Sequence, residues 1–118
     1  MLKLFSEFEI HATWATVGLL AFDNKEELLA MLPNEKPTYS NINLSPYDYI
    51  SECKLEHKFH FAPDIINEIR HAKNQELATH TFSHYYCLEP GQTESSFDSD
   101  LKLNIEVVKN KFDVEIVF

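Results

Sequence analysis

Ile10-His11-Ala12-Thr13-Trp14-Ala15-Thr16-Val17-Gly18 is the stretch whose reading decides the fold class. It is β-rich and largely apolar, the pattern of a strand buried in a parallel sheet, and Gly18 ends it. On its N-terminal side, Leu2 to Glu9 carries Leu4, Phe5 and Phe8 at helical spacing. On its C-terminal side, Lys25 to Leu32 reads as a short helix. Leu28, Leu29 and Leu32 share one of its faces, and Pro33 is its stop.

From Pro33 to Phe61 no period is visible, and the segment is expected to be a long loop, functional or mobile. Order returns at Pro63-Asp64, a helix N-terminal signature. Ile65, Ile66 and Ile69 follow as an expected inward stripe. Glu76 to Thr81 reads as a short strand. Thr93 is a candidate N-cap for a helix in which Phe97, Leu101, Ile105 and Val108 recur every three or four residues. Asp113 to Phe118 reads as a final apolar strand. This alternation of helices and strands implies right-handed βαβ units and a parallel sheet, an α/β fold. Three parallel strands leave both sheet edges open. The first helix has no strand before it and the last strand no helix after it. Both ends are therefore expected to be cuts through a larger domain, leaving residues 1–118 as a partial one.

The chain has 118 residues, enough for one domain, and 44% hydrophobic residues, enough for a packed core. With only two glycines, few left-handed turns are expected. A net charge of -9 argues against nucleic acid and anionic membrane surfaces, and leaves neutral sugars and cations as compatible ligands. No apolar run approaches the roughly 18 residues of a membrane helix. Glu7 and Glu9 interrupt what would be the apolar part of a signal peptide, so a cytoplasmic location is expected unless the chain comes from a larger protein. Cys53 and Cys87 are expected to be buried, reduced thiols.

The chemistry is concentrated in His80-Thr81-Phe82-Ser83-His84. Two imidazoles four residues apart can meet at one point if the chain curls after a strand, and imidazole nitrogen ligates zinc and other late first-row metals. Spacing alone is weak support for a metal. The five residues resemble the H-[ST]-x-x-H motif of the NodB-type polysaccharide deacetylases (carbohydrate esterase family 4). Ala12-Thr13-Trp14-Ala15-Thr16-Val17-Gly18 is similar to the strand that follows the first helix in that family. Phe61-Ala62-Pro63-Asp64 and the stretch from Glu76 to Thr93 resemble its cytoplasmic-type branch. Most of the chain is covered, apart from Pro33 to about Glu56.

The resemblance implies a distorted (β/α) barrel and hydrolysis of the N-acetyl bond of amino sugars, on a polysaccharide or lipid-linked sugar. It implies a divalent metal, zinc, with His80 and His84 as ligands and Thr81 bracing the loop between them. The family's third ligand and its general base come from an Asp-Asp pair, and no such pair occurs in this sequence. The family's arginine motif would follow a strand like Asp113 to Phe118. No catalytic residue is therefore assigned, and the chain alone is expected to be inactive, holding its metal weakly.

Tyr85 and Tyr86 follow the motif directly. Aromatic faces beside a metal often line a sugar subsite, the bland alternative being packing. His57 and His60 could form a second metal site but fit a half-exposed loop better. His11 and His71 read as structural, and Trp14 as core. Glu89, Glu94, Asp98 and Asp100 suit a helix start without any ligand. Three readings remain open: enzyme fragment, non-catalytic metal or sugar binder, and a purely structural role for the histidines. Cut sheet edges also predict self-association.

Overall fold

The computed structural model describes residues 1–116. Helix α1 spans Leu2–Glu7, strand β1 Ala12–Thr16, and 3-10 turns cover Gly18–Ala21 and Ile42–Leu44. Helices α2 (Lys25–Leu29), α3 (Tyr47–Glu52), α4 (His57–His60) and α5 (Pro63–His71) follow. Strand β2 covers Gln75–Thr79, and the long helix α6 covers Glu94–Phe112. The class is α/β as expected. β1 and β2 pair in parallel, in register from Ala12 with Gln75 to Thr16 with Thr79, and among the described residues they are the whole sheet. No helix among the described residues is long and apolar enough to cross a membrane.

Three of the helices begin where the sequence supplies a start. The Asn24 side chain accepts from Glu27 N to cap α2. Pro63 occupies the first turn of α5, with Asp64 beside it and Arg70 in the last turn, each charge on the favourable side of the helix dipole. Thr93 and Ser96 form a reciprocal capping box on α6. The core gathers Phe22, Leu28, Ile66, Leu77, Phe82 and Val108 between β2, α5, α6 and the Gly18–Ala21 turn.

Several expectations need correction. β1 is not buried on both faces: Thr13 and Ala15 are exposed, while Trp14 is half-buried on the core. The face that carries Thr13 and Ala15 is left uncovered among the described residues. In α1, Leu4 and Phe8 are exposed, and the inward face is Leu2 with Phe5, whose ring lies 5.7 Å from Trp14. Helix α2 stops at Leu29 rather than Leu32. Ile65 is 59% exposed, because 100° of helical rotation separates it from Ile66. The 33–61 segment is not a featureless loop. It contains α3 and α4, and Tyr39, Tyr47 and Ile50 are buried within it. Helices of four to six residues are too short to print a hydrophobic period.

Residues 113–116 form no strand. Asp113 ends α6 in a left-handed conformation (φ 52°, ψ 43°), and Ile116 packs into the core. Val117 and Phe118, the rest of the expected strand, lie outside the described residues. Left-handed residues are also not few: Glu9, Asn74, Thr81, His84 and Asp113 adopt positive φ without being glycine. Cys53 and Cys87 are free, as expected, but neither is buried: Cys53 is half-buried and Cys87 is exposed.

Candidate metal centre

β2 ends at Thr79, and His80 N donates to Thr16 O at 2.8 Å, continuing the parallel ladder by one bond. The chain then turns sharply. Thr81 (φ 62°) and His84 (φ 58°) are both left-handed, and for a β-branched residue such as Thr81 this conformation is a true outlier. Such residues persist only where their surroundings hold them, and they cluster at functional sites.

The surroundings of this turn are extensive. Thr81 N donates to Thr79 Oγ1 at 2.9 Å, and Thr81 Oγ1 accepts from Tyr85 N at 2.7 Å, closing the loop across the two histidines. From the opposite side, Gly18 N donates to Thr81 O and Leu19 N to Phe82 O. Phe82 is fully buried, edge-on to Phe22 at 6.1 Å. Ser83 is buried too. The odd geometry therefore sorts the loop: Phe82, Ser83 and Tyr85 point into the protein, while His80 and His84 stay exposed with ring centroids 4.5 Å apart. His84 also lies against Tyr86, at 5.3 Å.

This sorting separates the two tyrosines expected to face a sugar. Tyr86 remains at the surface, 38% exposed, its backbone N–H donating to Tyr39 Oη. Tyr85 does not fit that role. It is buried between Tyr39 and Phe97, and its hydroxyl is within 2.6 Å of Ser96 Oγ. Tyr39, buried in turn, has its phenol pushed up to about 12 by desolvation, partly offset by the Tyr86 N–H.

Helix α6 supplies a set of residues that the periodicity missed. The expected inward line was Phe97, Leu101, Ile105 and Val108. In the structure Phe97, Leu101 and Ile105 are only half-buried, and the deepest line runs Ser96, Asp100, Asn104, Val107 and Val108. Three polar residues, four apart, thus sit where apolar ones would be expected. Asp100, taken from sequence as part of an acidic helix start, is fully buried. Its carboxylate accepts from Phe82 N (2.7 Å), Ser83 N (3.3 Å), Ser83 Oγ and Tyr47 Oη (3.5 Å). Burial pushes this carboxyl above its ordinary value, and the four donors pull it back. Burial likewise pushes the Tyr47 phenol up. Asn104 Nδ2 donates to Thr79 Oγ1 at 2.6 Å, while its Oδ1 is buried with no hydrogen-bond partner among the described residues. The sequence signal for this line was the polar i, i+4, i+8 repeat in a helix with bulky neighbours on either side.

Gly18 explains the close fit. A Cβ there would lie 2.3 Å from Asn104 Oδ1 and 2.6 Å from Phe82 Cδ2, so no larger residue fits between β1 and the histidine loop.

His57 and His60 lie on α4, not in a loop. His60 Nε2 is 2.7 Å from Tyr49 Oη, at the rim of an apolar cavity of about 300 Å³ that includes Leu19, Leu28, Ile50 and Leu55. Among the described residues, no group of three or more His, Cys, Asp or Glu side chains could hold a metal ion. The exposed imidazole pair at His80 and His84 can thus offer two nitrogen ligands, with the remaining positions left to water or another donor. Family models, curated proteins and solved structures contain no match to this chain.

Proposed function

We propose that this chain is the histidine-ligand segment of a metal-dependent polysaccharide deacetylase of the NodB type, part of a distorted (β/α) barrel acting in the cytoplasm on N-acetylated sugars. The observation that carries the reading is the His80–His84 pair: two exposed imidazoles, 4.5 Å apart, at the C-terminal end of a parallel strand. That end is where open α/β sheets place their ligands. Support also comes from the motif sequence and from Thr81, whose hydroxyl spans the turn between the two histidines.

His80 and His84 would hold a divalent ion, zinc in this reading. A bound ion would polarise the N-acetyl carbonyl and lower the pKa of a coordinated water. The exposed face of Tyr86 would stack on a sugar ring. The chain itself offers neither the Asp-Asp pair nor an assigned acid, so turnover by this chain alone is not expected. That shortage favours a second reading, in which the segment binds metal or carbohydrate without hydrolysis. Exposed Met1, Leu4, Phe8 and Ile10 beside a two-stranded sheet support self-association in either reading.

Calorimetry with Zn²⁺ tests the proposal. Binding by the native chain and its loss in His80→Ala/His84→Ala is the expected result. Equal binding by both, or by neither, would remove the metal site. Size-exclusion chromatography of the same samples checks association, and a monomer at every concentration would sink that part.

A further inference from the structure

The buried carboxylate of Asp100 is the least economical feature of the molecule. It has no cationic partner among the described residues, and taking a carboxylate out of water is costly unless donors surround it. A core leucine at this helical position would pack without that cost. What a carboxylate does, and leucine cannot, is accept four donors at once. Two of these are consecutive backbone amides, Phe82 N and Ser83 N, and they lie inside the loop bounded by His80 and His84. Consecutive N–H groups beside left-handed residues form a concave anion nest. Here the left-handed residues are Thr81 and His84, and the nest is filled by the protein's own carboxylate.

We propose that Asp100 is a positioning residue for the imidazole pair. By fixing the Phe82 and Ser83 amides from behind, it holds the strained backbone that turns His80 and His84 toward each other. Ser83 Oγ and Tyr47 Oη complete its donor set and tie α3 to the same loop. The inference rests on the metal-ligand reading for its consequence, but its geometry concerns the loop alone. Asp100 touches neither imidazole by any hydrogen bond in the structure, so its effect is carried by the backbone it holds.

The test is Asp100→Asn, nearly the same shape, with one acceptor oxygen and an NH₂ facing the Ser83 hydroxyl. Three quantities are read on the full chain: thermal unfolding, the ¹H–¹⁵N signals of the Phe82 and Ser83 amides with the His80 and His84 rings, and Zn²⁺ affinity. The expected result is a folded chain with shifted amides, altered or broadened ring signals, and about tenfold weaker Zn²⁺ binding, the size usual for residues that orient ligands. A purely structural role would lower the melting temperature and leave the rings unmoved. A folded Asp100→Asn chain with native ring signals and Zn²⁺ affinity within roughly twofold of native would overturn the proposal. If Asp100→Asn does not fold, Ser83→Ala decides by the same ring signals, since it removes one donor and keeps both amides. If the native chain binds no Zn²⁺, the deacetylase reading fails by itself. The metal-free ring signals then still decide the positioning role: altered they support it, native they reject it.

Discussion

Two connecting segments of this protein are built by different physics. The 80–93 segment after β2 is held by directed bonds to polar side chains: Asp100 on Phe82 and Ser83, Thr81 on Tyr85, and Tyr39 on Tyr86. The 42–61 segment is held chiefly by area. Ile50 on α3 and Phe61 just past α4 are buried in the common core, Leu55 between the two helices packs against it, and both helices are one or two turns long. Directed bonds fix each φ and ψ, and so can sustain left-handed Thr81 and His84. Apolar burial is non-directional and fixes a position without fixing its angles. The difference teaches where a ligand pair can be placed accurately: on the bonded segment, not the packed one.

The sharpest way to break this contrast is at Gly18, where β1 meets the bonded segment. Gly18→Ala places a methyl group inside contact distance of both Asn104 and Phe82. Overpacking of this kind costs about 3 kcal/mol at its upper range. Urea unfolding is expected to show that loss, with the His80 and His84 ring signals displaced as well. A cost under about 1 kcal/mol would mean that the histidine loop yields easily, and that its bonds do not define it.

A middle-sized effect is expected from the packed segment. Ile50→Ala removes buried methyl groups beside the apolar cavity and should cost about 2 kcal/mol in unfolding free energy, the low end for such truncations. Unlike Gly18→Ala, it should leave the imidazole signals in place, because no hydrogen bond of α3 reaches the loop except that of Tyr47 through Asp100. Ring signals that move as much as in Gly18→Ala would erase the distinction between the two segments.

The same contrast governs what the sequence disclosed. Starts of helices were legible at Pro63-Asp64 and Thr93, because capping chemistry is local. Parallel pairing of two strands followed from the runs read at Ile10 to Val17 and Glu76 to Thr81, separated by helices, although the strands themselves are Ala12–Thr16 and Gln75–Thr79. The inward line of α6 was not legible. Phe97, Leu101 and Ile105 outweigh Asp100 and Asn104 on any hydrophobic scale, yet the polar pair lies deeper because the histidine loop offers it donors. Helices α3 and α4 were hidden by their brevity. His80 and His84 could be picked out as a pair, but that Tyr85 points inward and Tyr86 outward depends on the left-handed turn between them. Glycine content gave no warning of that turn, since Thr81 and His84 carry it.

The smallest expected effect comes from pH, and it compares two carboxylates of opposite sign. Burial raises Asp100 above its ordinary 3.8. As pH rises, the unfolded chain therefore loses this proton first, and the folded state holds the extra one. Its contribution to stability is full below 3.8 and is lost as pH rises through the raised folded value. Glu27 runs the other way. The Asp23 N–H, then Lys111 at 2.6 Å, hold it below its ordinary 4.5. Its contribution is present above 4.5 and is lost as pH falls through the lowered folded value. Urea unfolding across the acid range should then show opposite changes of slope. Asp100→Asn removes a decline in stability with rising pH, and Glu27→Gln removes a gain. The Glu27 change should be the weaker, because its side chain is 39% exposed and water screens it. Slopes that change in the same direction would show that the four donors outweigh burial at Asp100.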